Sequence, residues 1–169
     1  MNYQITAHFA NPNWIINEKH GFMDDSSLTP SRYYLRNSVN KAERTIRRKG
    51  GVISSGKVIA EQSFGFWTSL FEPHHYRLIG GVTIRCFPNK PNGVNRSIIS
   101  QKLNRIREFR NRVYHNEPIC FNGSNIDFGK VENIRDEIFE MLAWVDSDLS
   151  TYAEYFNGIK TKIDQVNNI

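Results

Sequence analysis

The chain of 169 residues is poor in the features that mark several whole classes of protein. Its two cysteines, Cys86 and Cys120, stand far apart with no CxxC pair, which excludes paired-cysteine metal knuckles and a disulfide-stapled secreted scaffold. Both are expected to be reduced, ordinary thiols. No run approaches the roughly 18 consecutive apolar residues of a spanning helix. Met1-Asn2-Tyr3-Gln4 lacks the charged-then-apolar layout of a secretion signal. A cytoplasmic protein with no membrane contact is therefore expected, in which the sequons at Asn95 and Asn122 stay unmodified. Six prolines and eleven glycines are too few for collagen-like or linker composition. Nucleotide and hydrolase motifs are also missing. Gly51 to Lys57 matches the first seven positions of a phosphate-binding P-loop, but Val58 stands where a Ser or Thr would hold magnesium, and a helix precedes it instead of a strand. There is no G-x-S-x-G elbow and no H-E-x-x-H. Adjacent His74 and His75 read as a solvated loop pair, because neighbours in sequence seldom point at one ion. No metal and no cofactor is expected.

What is present is a folding sequence, 39% apolar and 12% aromatic, of a length that suits one domain over 1–169 around one core. Its charge is unevenly divided. Residues 1–119 carry 18 basic and 8 acidic side chains, whereas 120–169 carry 4 and 9. A basic first part suits a phosphate-bearing partner or is simply a solvated helix face. The acidic tail is placed to pack against basic surface of its own or a neighbouring chain.

Four helical segments are predicted, with residues 1–29 as an irregular N-terminal arm. Thr29 before Pro30 reads as an N-cap with proline at the first helical position, and Arg47-Arg48-Lys49 before Gly50-Gly51 as a cationic last turn and stop. Between them Leu35, Val39, Ala42 and Ile46 share one face, which makes 30–49 a basic amphipathic helix. Residues 57–71 read as a second helix with a wide apolar face, Phe64, Trp67 and Phe71 beside Phe66 and Leu70, and with Gly65 in mid-helix marking a close neighbour. Prolines and glycines make 72–95 mostly connection, with Val82 to Phe87 a loop or helical turn. Ser97 is placed to cap a third helix carrying Ile99, Leu103, Ile106, Phe109 and Val113, which must end near Asn116 because Pro118 disfavours helical geometry at Glu117. The fourth, about 128–157, keeps three-four spacing from Val131 to Phe156, with room for a kink at Asp146 to Asp148. With no convincing strand, the fold class is all-α, a bundle of four or more helices.

The segment with chemical content is Arg110 to Ile119, where the third helix runs out. It joins a permanently charged phosphate binder, a proton-transfer group and a forced helix end. Asn111 and His115 are four apart, so the amide is placed to hold one ring nitrogen and fix the tautomer. Arg110 and His115 are five apart, about 140° on a regular helix at roughly 100° per residue. They converge only if the last turn loosens or a second copy contributes.

Arg110 to His115 matches the R-N-x-x-x-H form of the R-x(4–6)-H motif of HEPN ribonuclease domains. Ser63 to Phe71, Arg110 to Ile119 and Met141 to Val145 together resemble the Abi-like branch, named for bacterial abortive-infection proteins, over about residues 57–157. The resemblance implies an all-helical symmetric homodimer in which two motifs face one another and cleave RNA without metal, in phage defence or as a toxin. By this resemblance Arg110 binds the phosphate, His115 moves protons and Asn111 orients the ring. Arg105 and Arg107, with the basic first helix, are candidate contacts to the RNA backbone; Arg112, Tyr114 and Glu117 are placed to contact RNA or the other subunit, with core packing the alternative for Tyr114 and a salt bridge the alternative for Glu117. An antitoxin or nucleotidyltransferase partner is also implied. Many relatives carry a second His where this chain has Asn116, which leaves an alternative, a catalytically silent module that binds RNA or a protein partner.

Overall fold

Start and stop signals recur along the chain and cut it into short helices. In the computed structural model, which describes residues 1–167, the α-helices in chain order are α1 (Asn2–Phe9), α2 (Trp14–Asn17), α3 (Tyr34–Arg48), α4 (Ser55–Ala60), α5 (Phe64–Ser69), α6 (Pro73–Leu78), α7 (Arg96–Tyr114), α8 (Gly129–Val145), α9 (Ser147–Tyr155) and α10 (Ile159–Asn167). Three 3-10 turns and one two-residue hairpin, β1 (Phe121–Asn122) with β2 (Asn125–Ile126), complete the described residues. The all-α class holds. In place of one core, contacts divide the chain into two compact units, Met1–Cys86 and a second beginning at Phe87.

The first unit corrects the expectation of an N-terminal arm. Ile5, Trp14, Ile15, Met23 and Leu28 are each 0% exposed, and the Trp14 indole donates to Asn2 Oδ1 at 2.7 Å. These residues come in short groups between Asn and Gly turns, too brief for helical periodicity. Each still gains about 1.5–3 kcal/mol by leaving water, so the segment folds onto α3. There the predicted row Leu35, Val39, Ala42 and Ile46 is buried. The helix begins later than Thr29-Pro30 suggests. Both lie in a 3-10 turn (Ser26–Ser31), and α3 starts only after Arg32 and Tyr33, at φ 52° and 53°. Its end follows the reading, with Gly50 at φ 72° and Gly51 N donating to Ile46 O at 2.9 Å.

The second predicted helix is two. Ser54 and Ser63 each cap a helix, accepting from Lys57 N and Phe66 N at 3.4 Å, and the chain breaks between Ala60 and Phe64. A continuous helix would expose part of so wide an apolar face; two short ones bury Val58, Phe66, Leu70 and Phe71 completely and leave Phe64 40% exposed. Gly65 falls in the first turn of α5, not mid-helix. Val82–Cys86 is a 3-10 turn.

His75 is not in a solvated loop. It lies on α6, 2% exposed, with Nδ1 2.8 Å from Ser69 O and Nε2 lacking any partner. The carbonyl is only an acceptor, so the proton is on Nδ1. Burial, foremost, holds the ring's pKa below that of an ordinary histidine, against the Ser69 carbonyl, which raises it.

In the second unit Asn95, two residues before the expected Ser97, caps α7, its Oδ1 accepting from Ser97 N and Ile98 N at 2.9 and 3.2 Å. The fourth predicted helix divides at Asp146, which caps α9 by accepting from Asp148 N at 2.9 Å, so the kink becomes a break. α8 lies along α7, burying Ile99, Leu103, Ile134, Met141 and Trp144. Lys102 joins them, 2.6 Å from Glu140 and 5.6 Å above the Trp144 ring.

Because the folded ring of His75 resists protonation, the unfolded chain takes up its proton first as pH falls below about 6.5. The stability it contributes is complete above that pH and is lost through the folded pKa below it. His75→Asn keeps a donor for Ser69 O and removes the titration. Melting temperatures of the variant should fall less between pH 7 and 5 than those of the wild type; parallel curves would remove His75 as the cause.

Candidate functional site

The last turns of α7 build the candidate site, and the way the helix ends decides which side chains are free. His115 is the C-cap, and Asn116 follows at φ 54°. Asn116 N donates to Val113 O at 3.1 Å and Glu117 N to Arg112 O at 2.9 Å. These are the paired bonds of a Schellman turn, whose central residue must be left-handed. Asparagine tolerates that conformation best after glycine. The apolar contact that usually closes such a turn is replaced here by an ion pair between the same two positions, Arg112 Nε to Glu117 Oε2 at 3.1 Å, and Arg112 Nη2 also donates to Pro118 O at 2.9 Å.

The residues expected to act therefore divide. Arg112 and Glu117 close the helix end. Arg105 is held by Glu137 on α8, with Nε donating to Oε1 at 2.9 Å, and the carboxylate's hydrogen bonds keep its guanidinium still more firmly protonated. Arg107, partly buried, and Arg110, exposed, have no carboxylate partner among the described residues. Arg110 instead lies 5.3 Å over the ring of Tyr114, which is 71% exposed and so not core. His115 is exposed, its imidazole meeting the Tyr114 ring edge-on at 5.5 Å.

One expected contact is not formed. The Asn111 amide does not hold His115; its Oδ1 accepts a long bond from Arg110 Nη1 at 3.4 Å, and only the backbone joins the other two, His115 N to Asn111 O at 2.9 Å. The reason lies in direction. Helical side chains lean toward the N-terminus, so Asn111 leans toward the preceding turn, while His115, at the cap, has no next turn above it.

The arrangement offers a permanent cation, an aromatic face and an imidazole, all exposed on one helix end. An open hollow of about 530 Å³ lies along the α7–α8 pair, lined by Arg105, Glu108, Phe109 and Glu137. No protein-family model, no curated protein and no solved structure matches the chain.

The left-handed turn makes a stability test. Asn116→Gly should be nearly neutral in urea unfolding, and Asn116→Val should cost about 1–2 kcal/mol. Equal losses in both would show that the turn imposes no such constraint.

Proposed function

We propose that the protein is a metal-independent endoribonuclease of the HEPN type that works as a homodimer, with Arg110 and His115 as its catalytic residues. The observation that carries the reading is the sorting of cations on α7. Arg105 before the motif and Arg112 within it are engaged by glutamates, whereas Arg110 faces solvent on the same helix end as His115 with no carboxylate partner among the described residues. A guanidinium with no carboxylate partner on the same helix end as an imidazole suits a phosphodiester, to which it presents a planar fork of donors.

The chemistry requires little more. The ribose 2′-hydroxyl attacks the adjacent phosphorus and the bond to the 5′-oxygen breaks, leaving a 2′,3′-cyclic phosphate and a 5′-hydroxyl. One imidazole takes the proton from the 2′-oxygen and another, protonated, gives one to the leaving 5′-oxygen. An imidazole serves as base when neutral and as acid when protonated, typically for a gain of about 10²- to 10⁴-fold. Arg110 steadies the charge that builds on the phosphoryl oxygens. Two subunits supply the two rings.

Pairing of subunits has support of its own. Among the described residues, twelve of the sixteen exposed large hydrophobic residues belong to the second unit. Ile138 and Val145 on α8, Leu149 and Tyr152 on α9 and Phe156 at its C-cap are 37–68% exposed. Exposed apolar side chains in such number are characteristic of an interaction surface. The contrary reading, a silent RNA- or protein-binding module, is favoured by one observation: the Asn111 amide does not fix the tautomer of His115.

Purified protein with a chelator should cleave single-stranded RNA to cyclic-phosphate ends, and His115→Ala and Arg110→Ala should each lose at least about 10²-fold in rate. Cleavage that persists in both variants rejects these residues, and no cleavage of any RNA favours the silent module.

Sedimentation should give a dimer for the wild type. Tyr152→Asp with Phe156→Asp should shift it to monomer; a wild-type monomer at micromolar concentration removes the paired site.

A further inference from the structure

A second basic feature lies in the first unit, far along the chain from the motif. The polar side of α3 and the loop before α5 enclose an open groove of about 590 Å³, lined among others by Arg32, Tyr34, Lys41, Arg44 and Glu61. Three cations near it, none of them in its lining, are already neutralised. Arg36 pairs with Asp24, Arg47 lies 3.9 Å from Glu43, and Lys49 reaches Glu61 at 2.8 Å, which also cancels the one carboxylate in the groove. Arg32, Lys41 and Arg44 are exposed and pair with nothing among the described residues. Lys41 and Arg44 are three apart and so neighbours on the helix surface.

Arg32 is positioned at a strained corner. It and Tyr33 are consecutive non-glycine residues in the left-handed region, at φ 52° and 53°, a conformation that persists only when the surroundings hold it. Here Asn37 Nδ2 donates to Arg32 O at 2.7 Å, the Tyr33 hydroxyl is 3.1 Å from Thr29 Oγ1, and the Arg36 guanidinium lies 4.3 Å over the Tyr33 ring. A simple solvated helix face needs no such corner. A second hollow of about 390 Å³ shares Asn37 and Arg44 with the first, and the Glu43 carboxylate in its lining is already held by Lys19 at 2.7 Å.

We propose that this groove binds the backbone of single-stranded RNA, with Arg32, Lys41 and Arg44 on successive phosphates and Tyr34, 39% exposed, as a stacking surface for a base. Polyanion binding stands on the groove alone; the assignment of RNA rests on the endoribonuclease reading. A membrane is the weaker occupant, because the apolar face of α3 is at most 4% exposed and none of it is left to enter a bilayer. An open trough without an enclosed base pocket also suits a chain better than a free nucleotide.

The test is fluorescence anisotropy of a labelled 20-nucleotide RNA with the full chain in chelator, from 50 to 200 mM salt, with helix content checked by circular dichroism. Lys41→Gln with Arg44→Gln should weaken binding at least tenfold and reduce the slope of log affinity against log salt by about 1.4, at roughly 0.7 for each phosphate no longer neutralised. Arg48→Gln, an unpaired exposed cation outside both hollows, should change affinity less than twofold. Equal effects from Arg48→Gln and the groove variant, or none from the latter, overturn the proposal. Tighter binding to phosphatidylserine vesicles than to RNA, abolished in the groove variant, also overturns it in favour of a membrane. Arg110→Ala separates the two readings: binding retained with cleavage abolished supports both, and binding retained in a protein that never cleaves leaves the groove standing while the ribonuclease reading fails.

Discussion

The left-handed turn at Asn116 is the constraint on which the candidate site depends. A helix that continued past His115 would carry the imidazole on a cylinder crowded by the next turn. Ending there leaves the ring at an open rim, and the two reversed hydrogen bonds hold that rim by backbone alone. The ion pair between Arg112 and Glu117 fastens the same turn from outside. It is half-exposed and worth about 1 kcal/mol at most, so its consequence is positional more than energetic. It withdraws one cation and one carboxylate from the end of α7 and leaves Arg110 as the exposed cation without a carboxylate partner there.

Pairing, more than charge number, decides what the basic surface does. The sequence carries a net charge of +5, yet many of its arginines lie against a carboxylate of their own unit: Arg36 with Asp24, Arg105 with Glu137, Arg112 with Glu117, Arg135 with Asp136. What remains exposed at the end of α7 and in the α3 groove is a short set, Arg110 in the one and Arg32, Lys41 and Arg44 in the other. Long-range charge governs encounter with a polyanion, while close contact needs donors that no internal acceptor already holds.

Helical class, the inward row of α3 and the end of α7 were legible in the sequence because each rests on a local rule, the 3.6-residue period or a proline that forbids the next turn. The stop at Gly50-Gly51 was legible for the same reason, since glycine advertises a left-handed residue. Asn116 forms the same turn with the same bonds, but asparagine advertises it weakly, and its position reads first as the place of an absent second histidine. The core made by residues 1–29 was not legible, because its apolar groups are shorter than a helical repeat and gain their meaning only from α3. The breaks after Ala60 and Val145 depended on Ser63 and Asp146 acting as caps inside apolar periodicity that runs across them. Single polar residues within such a pattern read equally well as a solvated edge. Of the candidate site, the sequence showed that Arg110 and His115 lie at the end of a helix, while the partners of Arg105, Arg112 and Asn111 required the neighbouring helix and the turn.

The regularity of α7 bears on how the site would have to be completed. The helix is unbroken to Tyr114, so nothing loosens its last turn, and Arg110 and His115 stay about 140° apart around the axis at roughly 100° per residue. A side chain as long as arginine can swing toward the cap, and its position over Tyr114 is a step in that direction, but an in-line displacement needs two proton-transfer groups on opposite sides of one phosphorus. A single copy has one ring at this end. Of the two routes around the angular problem, a loosened helix or a second subunit, the first is closed by the backbone, and the second would meet a unit in which, among the described residues, seven hydrophobic residues are buried and twelve large ones are exposed. Such a unit stands to gain from association whatever its chemistry, and a twofold contact beside α7 would give the site its second ring at no further structural cost.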